Sequence, residues 1–280
     1  VRRPRPDEIC SDEQRLLYSN DRAEVWEPDL ARPRYRWYRT RLKAILRAIR
    51  HFGSGRRVLD LGCAQANLAI LLAEEGFLVT AVDLNFEFLR YARIKAEDGD
   101  IRFVAASAAE PPFKPVFDIV VLGELLEHCA HPRRILKTAA SLLKPGGKGI
   151  VVITTPHGGF IGNRLPTYSQ IENRVLLEKT QFKPDADGHL FLLTVPELMA
   201  LAREVGLSVE DTRLYGTPLV TGHLKLNWAV ARIPSNLNNY IFPVDAFLSR
   251  MPFISRFFAE GILMVLRPEI KTPPGSTKPS

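Results

Sequence analysis

Cysteine is scarce in this 280-residue chain: three residues, Cys10, Cys63 and Cys129, with no C-x-x-C pair and no even set. That excludes a disulfide framework and a cysteine-built zinc site, and it suits a reducing compartment. Long apolar runs are missing too. No stretch approaches the roughly 18 consecutive apolar residues of a spanning helix, and the first residues carry no signal-peptide pattern, so the expected location is cytoplasmic. Internal repeats, inter-domain linkers and nucleic-acid-binding motifs are absent as well. Positive charge is in surplus, with a net charge of +7 and a pI of about 9.4. It concentrates at Arg2, Arg3 and Arg5, then at Arg32, Arg34, Arg36, Arg39, Arg41 and Lys43. Such an excess suits an acidic substrate, a nucleic acid or an anionic membrane surface; a solvated face and arm is the simpler account.

The informative stretch is Arg57 to Asn67, R-V-L-D-L-G-C-A-Q-A-N. Val58, Leu59 and Leu61 around Asp60 form the short apolar run of a buried strand, and Asn67 to Gly76 continues with helical spacing. A strand entering a helix through a small-residue turn exposes backbone N–H groups to a ligand. Here G-x-A-x-A replaces the dinucleotide pattern G-x-G-x-x-G. Phe77–Val82 reads as a second buried strand ending at Asp83, 23 residues after Asp60. An acid at that place holds a ribose hydroxyl pair in doubly wound folds; the competing reading is that Asp83 only caps the helix Asn85–Lys95.

V-L-D-L-G-C-A, A-V-D-L, the later F-D-I-V-V and L-K-P-G-G, in this order, resemble the class I S-adenosylmethionine-dependent methyltransferases over roughly Arg56 to Leu214. The resemblance implies an α/β fold: a Rossmann-like seven-stranded, mostly parallel sheet with helices on both faces and an antiparallel last strand. The family commonly has glycine where this chain has Ala64 and Ala66. Alanine still admits backbone approach provided that φ stays negative. The implied cofactor contacts are Asp60, Gly62, Cys63, Ala64, Asp83, Leu84, Ser107, Ala108, Gly123 and Glu124. Ser107 and Ala108 would face the adenine, and Gly123 the methionine end.

Glu124-Leu-Leu-Glu127-His128 follows the fourth strand, Phe117–Leu122. On a helix all three polar side chains would project to one side. Two carboxylates and an imidazole suit Mg²⁺, Mn²⁺ or Zn²⁺. The run resembles that of the ubiquinone-pathway O-methyltransferases and the small-RNA 2′-O-methyltransferases. That likeness implies a metal at Glu124, Glu127 and His128, with His189 of Asp187-Gly-His-Leu-Phe as fourth ligand. Alternatively His128 is a general base or lines the pocket. His157 is a weaker base candidate.

Elsewhere, Val1 to about Pro33 shows little periodicity. Helices are expected at Tyr35–Phe52, Pro132–Leu143, Ser169–Glu178 and, behind the capping box Thr194/Glu197, Val195–Val205. Strands are expected at Ile101–Val104, Gly149–Thr155, Leu207–Tyr215 and Gly261–Leu266. The domain plan is an arm and helix (1–54), a methyltransferase domain (55–267) with insertions at about 157–190 and 216–260, and a disordered tail (268–280). The aromatic second insertion is expected to roof an apolar acceptor pocket or simply to pack, in preference to making a peripheral membrane contact. The expected chemistry is S-adenosylmethionine-dependent methylation of a hydroxyl of a small molecule. The alternatives are N-methylation, RNA 2′-O-methylation, an NAD-dependent oxidoreductase and a non-catalytic cofactor-binding protein.

Overall fold

The structure, a computed structural model, describes residues 1–27, 29–30, 32–181, 188–224, 226–230, 232–233, 237 and 240–269. Seven strands form one sheet of order β3-β2-β1-β4-β5-β7-β6. They are β1 Arg57–Leu61, β2 Leu78–Asp83, β3 Asp100–Ala105, β4 Ile119–Gly123, β5 Ile150–Pro156, β6 Leu207–Tyr215 and β7 Gly261–Pro268. Every pairing from β3 to β5 is parallel, whereas β7 runs antiparallel between β5 and β6. The central strands are apolar runs because both of their faces are covered.

Alternation along the strands divides the core in two. Leu59, Leu61, Val120, Leu122, Val151 and Ile153 share one layer with α5 (Pro132–Leu142) and α7 (Val195–Glu204). Val58, Ile119, Val121, Ile150 and Val152 share the other with α2 (Pro33–Phe52) and α3 (Asn67–Glu74). α4 (Phe86–Lys95) packs beside β2 and β3. The order reverses at β1 and β4, which leaves a crevice beyond their carboxyl ends where open α/β sheets bind ligands.

Several expectations need correction. α1 (Asp12–Asp21) is a full helix where no periodicity was visible, capped by Ser11, whose hydroxyl accepts from Gln14 N at 3.1 Å. It continues into a π-helical turn, Arg22–Trp26. The helix expected over Ser169–Glu178 is instead a 3-10 turn, Tyr168–Gln170, and a single helical turn, α6 (Val175–Glu178). The reciprocal box between Thr167 and Gln170 starts the first turn, but Ile171 leaves it for extended backbone at φ −85°, ψ 113°. β7 extends through Pro268, into the span expected as tail; 270–280 lie outside the described residues. The second insertion contains α8 (Pro218–Thr221), α9 (Leu226–Val230), α10 (Ile241–Leu248) and α11 (Pro252–Phe258).

Ala64 and Ala66 do not keep negative φ. They sit at +46° and +56°, beside Gly62 at +72°. The left-handed region costs an L-residue about 1–2 kcal/mol, so the turn that favours glycine is built here at a cost. Ala64→Gly relieves that strain less glycine's own entropy of about 0.5–1 kcal/mol, and is expected to raise stability by about 0.5–1 kcal/mol. Ala66 is fully buried in the α3 layer. Its lost methyl, about 0.8 kcal/mol, should make Ala66→Gly nearly neutral. Urea denaturation of both variants tests the pair; a less stable Ala64→Gly would contradict it.

Candidate active site

The crevice at the β1/β4 reversal holds a cavity of about 230 Å³. Asp60, Gly62, Cys63, Ala64 and Gly123 line it from the sheet side. Tyr38, Arg41 and Leu42 of α2 close the opposite wall, and Asn20 and Glu24 of the N-terminal segment roof it. Gly123 leaves real space: a Cβ built there would meet only Thr154 Oγ1, at 3.9 Å. Gly62 is fixed differently, because its positive φ is joined to contact with Leu125, whose Cδ1 lies 2.8 Å from an added Cβ.

Of the expected cofactor residues, Asp83, Leu84, Ser107, Ala108 and Glu124 do not line this cavity. The Asp83 carboxylate ties the tip of β2 to the turn, accepting from Ala64 N at 2.8 Å and Asn85 N at 2.9 Å. It is not the helix cap. Asn85 caps α4, accepting from Glu87 N and Phe88 N. Leu84 is exposed beside it, and Ser107 Oγ accepts from Ala109 N at 3.2 Å in the turn that buries Ala108.

Burial sets the electrostatics of the cavity. Asp60 is pushed up to about 7, first by desolvation and then by neighbouring Asp83, with Arg41 opposing. Burial likewise pushes the Cys63 thiol well up, so it is inert filler in the turn. Arg41 reaches across to Glu124, with Nη1 3.6 Å from Oε2. Arg34 pairs with Glu24 at 2.7 Å. Sequence reading assigned no role to Arg34, Arg41 or Glu24. The signal available was the run of arginines opening α2, but nothing local says which of them turn inward.

The E-x-x-E-H run is not one helix face. Glu124 follows β4 with φ +53° and its backbone N–H donates to Thr154 O. Only Leu126–His128 form a 3-10 turn. With Glu124 itself in the left-handed region, no helix can run from it through Glu127 and His128; Pro132 then opens α5 behind His131, at φ −123°, ψ 67°. Glu124 therefore turns toward Arg41, away from the other candidates. Glu127, His128 and His189 do converge, one ligand atom from each lying within 4.8 Å of the others. Asp187, which opens the second motif, lies outside the described residues.

The fit to a divalent ion can be judged from the donors themselves. Glu127 is fully buried; its Oε2 accepts from Thr155 Oγ1 at 3.0 Å while Oε1 has no partner. Burial and the neighbouring Glu124 push its carboxyl well up, a penalty that a cation would offset. His128 Nδ1 sits 3.0 Å from Gly188 O. The tautomer that donates there leaves Nε2 as the lone-pair nitrogen. The His128 and His189 rings meet edge to face at 4.8 Å, and burial followed by His128 holds His189 below its ordinary value. One carboxylate and two imidazoles are a donor set that zinc accepts.

His157 is elsewhere. Its Nδ1 lies 3.0 Å from Ala259 O, burial lowers its pKa, and it lines a larger cavity of about 1660 Å³ between α2, β6 and α10–α11.

A model of the methyltransferase domain matches residues 32–212 of this chain. A ubiquinone biosynthesis O-methyltransferase of Xanthomonas euvesicatoria pv. vesicatoria is 41% identical over 165 residues, 56% of this chain and 65% of its own. One from Salmonella arizonae is 39% identical over 98 residues, 34% of this chain and 40% of its own. The chain thus spans less than two thirds of the length of these curated relatives. The structure of an S-adenosylmethionine-dependent methyltransferase from Mesorhizobium loti superposes with a TM-score of 0.54 at 20% identity, covering 81% of this chain and 97% of that one. With the domain model covering more than half the chain and the sheet order in agreement, this chain belongs to the class I S-adenosylmethionine-dependent methyltransferase family.

Proposed function

We propose that the protein transfers the methyl group of S-adenosylmethionine to a hydroxyl oxygen of a small, partly apolar molecule. The observation that carries this is a juxtaposition at the end of β4. Gly123 lines the crevice cavity, and Glu127 and His128, a few residues on, converge with His189. Asp60, Gly62, Cys63, Ala64 and Gly123 would hold the methionine end, with Arg41 reaching its carboxylate. Asp83 would hold the ribose through lone pairs left beside its backbone bonds to Ala64, Leu84 and Asn85, with Ser107 and Ala108 toward the adenine.

In the reaction the acceptor oxygen attacks the methyl carbon from the side opposite sulfur. The C–O bond forms as the C–S bond breaks, and the bonding pair leaves with sulfur as a neutral thioether. Most of the rate comes from holding the two reactants in line. A neutral hydroxyl is a poor nucleophile, so its proton must go. Glu127, His128 and His189 would hold a divalent ion, which when bound supplies Lewis acidity at the acceptor oxygen. The observation favouring the second reading, His128 as the base itself, is its Nδ1 contact with Gly188 O, which orients the ring and, where Nδ1 donates, makes Nε2 the basic nitrogen.

Calorimetric titration with S-adenosylmethionine and, separately, NAD⁺ tests the assignment. Micromolar binding of the methyl donor, lost in Asp83→Ala, is the expected result. NAD⁺ binding without methyl-donor binding would overturn it in favour of an oxidoreductase.

The raised Asp60 carboxyl gives this binding a pH signature. Without ligand it is about half protonated near pH 7. A sulfonium and an ammonium placed nearby favour the carboxylate, so donor binding releases up to one proton. Affinity is therefore expected to rise from about pH 6 to pH 8 and to flatten in Asp60→Asn; titration in buffers of different ionisation heat counts the proton. The same group makes the ligand-free protein lose stability as pH rises from 3.8 toward about 7, because there the folded state binds the extra proton.

A further inference from the structure

We propose that α10 and α11, with the basic ridge of α2, form a surface that docks on an anionic lipid bilayer. The two helices are turned the wrong way round for ordinary packing. α10 buries Ile241 and Asp245, and Asp245 is occupied in accepting from the Thr217 N–H and hydroxyl at 2.7 and 2.8 Å. Its opposite stripe, Tyr240, Val244, Phe247 and then Met251, falls at i, i+4, i+7 and i+11 and faces solvent. Phe247 is 63% exposed, and Phe253 of α11, whose ring lies 5.2 Å from that of Phe257, is 72% exposed. An apolar stripe on the solvent side of a helix calls for a second apolar medium to cover it. Pro243 sits in the first turn of α10, where a proline is tolerated, and Pro252 opens α11 as a separate helix. Two short helices joined through Ser249–Met251 nevertheless present a shared apolar face.

The charge beside this face is mostly positive, and the one carboxylate lining the groove among the described residues, Asp245, is buried and bonded to Thr217. The groove of about 1660 Å³ behind α10 carries Arg39, Lys43, Arg47, Arg213, Arg250 and Arg256. Among the described residues only Arg213 has a carboxylate partner, Asp211 at 2.6 Å. Arg39, Lys43 and Arg47 recur every four residues on α2, so they stack along one ridge. The Arg39 guanidinium and the Lys43 ammonium both lie over the Phe242 ring, at 4.9 and 5.4 Å. Five cations without acids beside a solvent-facing apolar stripe match the chemistry of an acidic phospholipid layer: hydrocarbon for Phe247 and Phe253, headgroup phosphate for the guanidinium and ammonium groups. A protein partner would have to supply both a long apolar groove and unpaired acids, whereas the bilayer supplies both in every lipid.

Flotation of the full chain with vesicles tests the proposal, comparing phosphatidylcholine alone with an equal mixture of phosphatidylcholine and phosphatidylglycerol. The wild type should bind the mixed vesicles at least about tenfold better, with affinity falling as salt rises. Phe247→Glu with Phe253→Glu should reduce that binding by about tenfold or more, and Arg250→Glu with Arg256→Glu should remove the preference for anionic vesicles. All four positions lie outside the crevice cavity, so unchanged S-adenosylmethionine affinity and thermal unfolding certify the variants. No partition onto the mixed vesicles would overturn the proposal, as would partition unaffected by the two phenylalanine changes. A concentration-dependent dimer abolished by Phe253→Glu, with no vesicle binding, would overturn it in favour of a second copy as the partner.

Discussion

Lys95→Met is expected to cost about 3–5 kcal/mol of stability, the usual penalty for stranding one partner of a buried ion pair. The Lys95 ammonium is fully buried at the end of α4, 2.6 Å from Asp21 Oδ2 and 2.5 Å from Asn67 Oδ1. Asn67 Nδ2 and Gln65 Nε2 donate to the other Asp21 oxygen at 2.6 and 3.0 Å. The Tyr91 ring lies 4.8 Å from the ammonium. Burial pulls the lysine below its ordinary pKa and Asp21 holds it up. Methionine fills the volume but leaves the Asp21 carboxylate uncompensated in the interior. At about 2–4 °C per kcal/mol, the melting temperature should fall by roughly 6–20 °C. Asp21→Leu with Lys95→Met should recover most of the loss, because apolar replacement of both charges is commonly neutral or better. A single-variant loss below about 1 kcal/mol would show that Asp21 is relieved by its amide donors alone.

The same network has a functional readout. Asp21 ends α1, Gln65 and Asn67 belong to the turn after β1, and the residues on either side of Asp21, Asn20 and Glu24, roof the crevice cavity. Loosening the network should therefore weaken methyl-donor binding in Lys95→Met at temperatures where the rest of the fold persists. Calorimetry well below the melting transition checks this.

What could be read in the sequence, and what could not, divides along the range of the forces involved. Strands β1, β2, β4 and β5 are buried on both faces, so their apolar runs are visible locally, and Leu207–Tyr215 was legible end to end. The Thr194/Glu197 capping box set the start of α7 because its bonds span three residues. α1 escaped because its anchors are polar: it buries Gln14 and Asp21 alongside Leu17, and Asp21 is satisfied by residues 44 to 74 positions away. The two alanines of the turn were seen, but their left-handed backbone was not, since only the path of the chain into α3 imposes it. At the site, Glu127, His128 and His189 of the expected set come together, whereas Glu124 does not join them. The left-handed backbone of Glu124, at φ +53°, takes it off the helix that the spacing suggests. Arg41 then claims Glu124 from α2, 83 positions earlier in the chain.

His128→Ala is expected to lower kcat by about 10²–10⁴-fold, the range for losing a positioned proton-handling group, with S-adenosylmethionine affinity unchanged because His128 lies outside the crevice cavity. His189→Ala separates the two ways of activating the hydroxyl. If His128 acts alone as base, His189 only packs against it at 4.8 Å, and its loss should change kcat by less than about tenfold. If the three side chains hold an ion, His189→Ala and Glu127→Gln should each fall as far as His128→Ala, and a chelator should inactivate the wild type reversibly. Glu127→Gln is the sharper test. The amide keeps the volume and still offers an oxygen to the Thr155 hydroxyl, but it removes the charge that burial and Glu124 already disfavour. Without an ion it should therefore stabilise the fold. With one it should destroy metal affinity and activity together. A Glu127→Gln protein that is more stable, fully active and indifferent to chelator would leave proton transfer to His128 alone.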